Sequence, residues 1–204
     1  MNKPKIKYTN DCTLKNAISN NCYSNLNISE NEEDITLREI TFDCCIFTGI
    51  DFSKFTISNI EFIDCQFINC DLSNLNFSNR YFKRVIFNSC KLVGTVFNNS
   101  NLSDISFDNC NLKYTSFNYS IFKEVQFVSC NMEESSFMDC NIKDISFDYC
   151  NLKKSEFYKT NLSGTDLSTS DILEARIDIK DIKGASINME QAIIICNMFG
   201  INVK

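Results

Sequence analysis

Every fifth residue from Leu37 to Ile187 is apolar, through thirty-one consecutive positions that open Leu37, Phe42, Phe47, Phe52, Ile57, Phe62 and close Ile172, Ile177, Ile182, Ile187. At an overall apolar fraction of 44%, chance would give such a run with a probability on the order of 10⁻¹¹, so the period is structural. Sixteen of the eighteen Phe residues occupy this register. A period of five fits neither regular element: a helix would rotate its apolar positions by roughly 140° per repeat, and a strand would flip face each time. The backbone must therefore corner once per repeat. Cys70, Cys90, Cys110, Cys130 and Cys150 recur every twenty residues, which predicts a four-sided coil in which positions twenty apart stack.

Two residues before each central position lies a second inward register. It is filled by Cys, Ser, Thr, Ala, Ile, Val and Leu, apart from Phe55 and the charged Arg80 and Lys180. The remaining positions carry Asn, Asp, Lys, Glu and Ser, as a solvated outer surface does. One repeat cannot bury its own side chains. Stacked at the strand spacing, about seven and a half coils would build a rod roughly 36 Å long.

Runs such as Cys110-Asn111-Leu112-Lys113-Tyr114, Cys130-Asn131-Met132-Glu133-Glu134 and Cys150-Asn151-Leu152-Lys153-Lys154 resemble the A(D/N)LXX unit of the pentapeptide-repeat family. The resemblance implies an all-β fold, a right-handed quadrilateral parallel β-helix. On this reading the coil spans residues 35–187, an N-terminal cap spans 1–34, and a helical cap and dimerisation segment spans 188–204. Function does not follow from the fold, because one fold hosts many tasks.

Both ends depart from the period. Met1 to Asp34 lies out of register: Thr13 to Ser19 can form a short helix over the first coil, Glu32, Glu33 and Asp34 make an acidic entry, and the segment reads either as a cap or as a mobile binding arm. At the other end Asn188 is a good N-cap with Gln191 at capping-box spacing, and Gly200 suits the position after the helix, so a helix is expected from Met189 to Phe199. It is apolar nearly all round. One face can cover the open coil and the other needs a partner, which predicts a homodimer through the C-terminal helix at Ile194, Ile195, Met198 and Phe199.

Composition removes most chemistry. The chain has no His, and its five Gly are scattered rather than grouped in a phosphate loop. No catalytic residue, metal or cofactor is therefore expected, and the protein is read as not an enzyme. Of the twelve Cys, eight fall in the small inward register; stacked Cβ atoms would lie about 4.8 Å apart rather than the ~3.8 Å of a disulfide, so they read as reduced packing thiols. Met1 to Cys12 lacks the apolar stretch of a signal peptide and no span is long enough to cross a bilayer, so a cytoplasmic protein without a membrane partner is expected.

The formal net charge of −6 speaks against direct nucleic-acid binding, which needs a basic footprint. On one face the second residue after each centre is Asp64, Arg84, Asp104, Glu124 and Asp144, and the neighbouring face adds Asp108 and Asp148. This is either an ordinary acidic surface relieved by Lys123 and Lys143, or a regular negative array like that of a DNA duplex. Arg80 falls at an inward position where a charge is costly to bury, so a bulge is expected around Arg80, Lys83 and Arg84.

The tail, Asp178-Ile179-Lys180-Asp181-Ile182-Lys183-Gly184-Ala185-Ser186-Ile187 running on to Phe199-Gly200-Ile201-Asn202-Val203, is similar to that of the Qnr quinolone-resistance proteins. Those proteins resemble DNA in shape and charge, bind type II topoisomerases and protect them from fluoroquinolones. The resemblance implies a topoisomerase partner, DNA gyrase or topoisomerase IV, met by Asp64, Asp104, Glu124, Asp144, Asp108 and Asp148. Qnr proteins interrupt their coils with projecting loops that contribute to protection, and this register has no such insertion. A second reading is a non-catalytic scaffold or immunity-type factor with an unrelated protein target.

Overall fold

A computed structural model describes residues 1–203; Lys204, the last residue of the expected C-terminal segment, lies outside the described residues. The chain winds into a parallel β-solenoid whose ladder keeps an offset of twenty residues. Tyr81–Asn88, Asn101–Asp108 and Ile121–Val128 lie side by side, and Phe67, Phe87, Phe107, Phe127 and Phe147 stand in one column. Of the thirty-one central positions all are buried except Ile57, Ile142, Ile182 and Ile187, which pack partly buried against the core.

The strand ladder sets the vertical spacing, and the rings exploit it. Phe87, Phe107 and Phe127 stack nearly parallel with centroids 4.8 and 4.9 Å apart. Phe97, Phe117 and Phe137 form a second column at 5.2 and 4.9 Å. Adjacent columns meet edge to face, as Phe137 and Phe147 do at 5.7 Å and 89°. Both arrangements suit the ring quadrupole.

The second inward register fills the corners and satisfies backbone there. Thr95, Ser100, Thr115 and Ser120 donate their hydroxyls to the carbonyls of Leu72, Phe77, Leu92 and Phe97 at 2.6–2.9 Å. Cys70, Cys110, Cys130 and Cys150 make the same contact through sulfur at 3.4 Å. All twelve cysteines are free thiols, and burial pushes Cys140 up to about 11, so it stays protonated at neutral pH. Among the described residues Ser135 is the buried hydroxyl left without a partner.

The corner itself is a left-handed residue two places after the centre. Asn69, Asn74, Asn79, Asn99 and Asn109 adopt φ between 52° and 60°, and Gly49 and Gly94 adopt φ 68°. Asn and Gly tolerate this conformation best, which accounts for their recurrence at this one outer position.

The two charged inward residues are accommodated differently. The offset stays at twenty on both sides of Arg80, from Asp51↔Asp71 to Phe62↔Phe82 and Phe67↔Phe87 with the preceding coil and from Asn76↔Val96 to Tyr81↔Asn101 with the next, so no residue is added and the expected bulge is absent. Arg80 keeps its main-chain place, its carbonyl accepting from the Asn101 N–H, while the long side chain reaches out to Asn59 Oδ1 at 2.5 Å; the stem's length removes the need to deform the coil. Lys180 instead sits in a helical turn, the second of three α-helices among the described residues: α1 Leu14–Ser19, α2 Ile179–Ile182 and α3 Met189–Met198. The turn within the expected coil carries Lys180 to the exposed surface.

The N-terminal part of the rod begins earlier than the period shows. Leu26–Ile28 already pairs with the coil above it, Asn27 with Ile46 and Ile28 with Phe47, an offset of nineteen rather than twenty. That single missing residue hides the first coil from a period-five reading. Helix α1 closes the end: Thr13 caps it by accepting from Asn16 N–H at 3.2 Å, Glu32 accepts from Lys15 N–H at 2.9 Å, and Leu14 and Ala17 are buried.

Helix α3 closes the other end. Its capping box joins Asn188 and Gln191, and its last turn finishes with Gly200 N–H on Asn197 O and Ile201 N–H on Cys196 O, the paired bonds of a Schellman stop. Gln191 also donates Nε2 to the carbonyls of Leu167 and Ser170 at 2.7 and 2.6 Å, giving Ser170 O its partner at the end of the stack and Leu167 O a second donor beside the Ser170 N–H.

Candidate protein-interaction surface

Stacked left-handed corners place Cys44, Asp64, Arg84, Asp104 and Glu124 in one column, each two residues after a member of the stacked set Phe42, Phe62, Phe82, Leu102 and Phe122. Asp144 keeps the register, between Ile142 opposite Phe122 and Ile145 opposite Val125, but loses the left-handed corner. The ladder there is divided between Asn141–Ile142 and Ile145–Asp148, and Asp144 is exposed and outside the left-handed set. On the neighbouring face Asn88, Asp108, Val128 and Asp148 share a column, so an apolar residue separates the two carboxylates. The expected six-membered array is therefore a covered group of Asp64, Asp104 and Glu124, with Asp144 exposed at its end and Asp108 and Asp148 apart on the neighbouring face.

This group is covered. Asp64 and Asp104 are only 4% and 7% exposed, because the N-terminal residues run along the column. Asp104 Oδ1 accepts from the main-chain N–H of Asn2 at 2.6 Å and from its side-chain amide at 2.8 Å. Asp64 Oδ1 accepts from Lys5 N–H at 2.8 Å, and the Met1 ammonium lies 2.8 Å from Glu124 Oε2. Residues 2 and 5 of an extended chain are about 10 Å apart, and two coils also span about 10 Å, so the segment steps from Asp104 to Asp64 across Arg84. Arg84 binds Asp64 through both Nε, at 2.6 Å, and Nη2.

Burial opposes ionisation of Asp64, but the hydrogen bonds from Arg84 and Lys5 and the guanidinium charge outweigh it and hold its pKa below the ordinary value. Asp104 is lowered in the same way: burial resists, and both bonds from Asn2, a bond with Glu124 and the terminal ammonium prevail. The hydrogen bond to Glu124 raises the Met1 amine. Asp43, Cys44 and Asp64 bring three ligand-type atoms within 4.8 Å, yet both oxygens of Asp64 are already engaged and burial pushes the Cys44 thiol up to about 11. That group is a hydrogen-bonded knot rather than an open donor set.

Sequence reasoning left the role of the first seven residues open. A signal was there: Lys3, Lys5 and Lys7 alternate with Asn2, Pro4 and Ile6, the period of an extended strand with one face covered. In the structure the three Lys are exposed and Pro4 and Ile6 partly buried.

At the C-terminus the four residues expected at a dimer interface divide. Ile195 packs against the core as part of the cap, because α3 must turn one face to the last coil. Ile194 is partly buried beside Asp171, Ile172 and Leu173. Met198 and Phe199 are each 37% exposed and border a groove with Met138, Tyr158 and Ile177.

Two overlapping matches to a family described as a pentapeptide repeat region cover residues 60–131 and 104–186. No curated protein sequence matches significantly. Among solved structures, full-length QnrB1, described as a plasmid-mediated fluoroquinolone resistance protein, aligns with 84% of this chain and 100% of its own at 19% identity and a TM-score of 0.39. HetL of the cyanobacterium Nostoc sp. strain PCC 7120, a pentapeptide repeat protein involved in heterocyst differentiation regulation, aligns over 86% and 97% at 12% identity and a TM-score of 0.36. Likeness at this level carries no argument about function. With family matches that together run from residue 60 to residue 186, and a coil that turns once every twenty residues, the chain belongs to the pentapeptide-repeat family.

Proposed function

We propose that this protein is a non-catalytic binding module of the cytoplasm that engages a type II topoisomerase, DNA gyrase or topoisomerase IV, at the surface the enzyme uses for DNA, and alters its response to fluoroquinolones. The observation that carries the reading is the carboxylate column: Asp64, Asp104 and Glu124 project from equivalent corners of one rod, at a spacing fixed by the strand ladder. A rigid negative array is complementary to a basic DNA-binding groove and would speed and orient docking. The Qnr-like tail supports the same partner. A second copy joined through Met198 and Phe199 of α3 would lengthen the rod and cover their apolar surface.

The deciding experiment is a gyrase supercoiling assay with and without ciprofloxacin, using wild type and a variant carrying Asp104→Asn with Glu124→Gln. Wild type should shift the drug response or the supercoiling rate, and the variant should bind more weakly with a flatter salt dependence. No effect of wild type on gyrase or topoisomerase IV would leave the second reading, a scaffold with another target. The coverage of the column by the chain's own N-terminal segment favours that alternative.

A further inference from the structure

We infer that residues 1–7 form an intramolecular strap that competes with external partners for the acidic column, so that the column is a track for an extended cationic peptide. The strap is held mainly through groups that any peptide offers. Two main-chain N–H groups, three residues apart, meet Asp104 and Asp64, and an ammonium meets Glu124. Their spacing matches two coils of the rod, so the match belongs to the track as much as to this particular segment. Main-chain ladder pairing begins only at Asn10, which leaves the first seven residues tied by a few polar contacts, as a releasable segment is.

The strap reverses the face it covers. When it is seated, Asp64 and Asp104 are withdrawn from solvent and Lys3, Lys5 and Lys7 are displayed. When it leaves, the column faces solvent with Arg84 still neutralising Asp64 from below. A basic partner therefore meets repulsion first and attraction only after exchange, and its binding includes the displacement of the strap. This consequence for the partner rests on the topoisomerase reading; the strap and the track do not.

The test uses the full chain and a full-length variant with Asn2→Asp and Lys5→Pro, which sets a carboxylate against Asp104 and removes the N–H that Asp64 accepts. ¹⁵N relaxation should show residues 2–7 ordered in wild type and mobile in the variant; equal mobility in both would overturn the strap. A fluorescent peptide of sequence Met-Asn-Lys-Pro-Lys-Ile-Lys-Tyr-Thr, labelled at its C-terminus, should bind the variant about tenfold more tightly than wild type, as follows if the strap is closed about nine-tenths of the time. Adding Asp104→Asn and Glu124→Gln to the variant should abolish that binding. Equal peptide affinity for wild type and variant would overturn the track. If peptide discrimination holds but gyrase binds the two proteins equally, the topoisomerase contact is wrong and the strap stands.

Discussion

Phe107→Ala should remove the middle of the longest ring column. Phe107 is fully buried and stacks within 5° of Phe87 at 4.8 Å and within 3° of Phe127 at 4.9 Å; Phe97 and Phe117 meet its edge at 6.4 and 6.2 Å. The strand ladder holds the coils above and below at a fixed spacing, so the hole cannot close by collapse. Burial of a Phe side chain against a poorly relaxing site places the cost at about 3–5 kcal/mol, and loss of two stacked pairs favours the upper end. In a solenoid each coil contacts only its neighbours, so a central lesion weakens two coil interfaces at once. Asn88→Ala is the control: Asn88 is partly exposed, and its side chain accepts one hydrogen bond from Ser89, for an expected cost within about 0.5 kcal/mol. Urea denaturation followed by circular dichroism reads both variants. Equal midpoints would refute the assignment of the period to a ring-filled interior.

Ser120→Ala should cost about 1–3 kcal/mol, since Ser120 donates to Phe97 O and accepts from Ser100 N–H, whereas Ser135→Ala should be neutral or stabilising because its buried hydroxyl has no partner; the order of their melting temperatures checks this. Gln191→Leu should lower stability by about 1–3 kcal/mol by baring Ser170 O, removing the second donor on Leu167 O and breaking the capping box, with faster hydrogen exchange confined to the last coil and α3. The strap should be held within a pH window, read by relaxation of residues 2–7. Asp64 and Asp104 have lowered pKa values, so their contribution is complete above about pH 4 and lost as pH falls through the depressed values. The Met1 amine, facing Glu124, Asp104 and Asp144, is raised, so its contribution is complete below about pH 8 and lost as pH rises further. Strap mobility that does not change with pH would contradict both assignments. Met198→Glu with Phe199→Lys should give a folded monomer by light scattering; a mass of 23.5 kDa for wild type at micromolar concentration would refute the dimer.

The period of five, the two inward registers and the packing thiols were legible because each depends on short-range backbone geometry repeated many times, and both helical ends because their caps are local in sequence. A residue at position n of the repeat meets the same surroundings in every coil, so the pattern reports the interior directly. The left-handed corners left a readable mark in Asn and Gly two places after the centre. The first coil was obscured because it is one residue short, which shifts the phase without altering the packing.

What only the tertiary structure decided are places where local pattern and long-range contact diverge. The carboxylate column follows from the repeat, but its coverage joins residue 2 to residue 104 and residue 5 to residue 64. Main-chain N–H groups, which every non-proline residue carries, make those contacts. The alternation of Lys3, Lys5 and Lys7 marks an extended segment with one covered face, but not the column that covers it. Arg80 and Lys180 looked alike as charges in an inward register, yet one escapes along its own stem and the other on a helical turn. The difference lies in what surrounds each backbone: the Asn101 N–H and the paired strand that follows hold Arg80 in place, whereas no further coil stacks on the turn that carries Lys180, and it can yield.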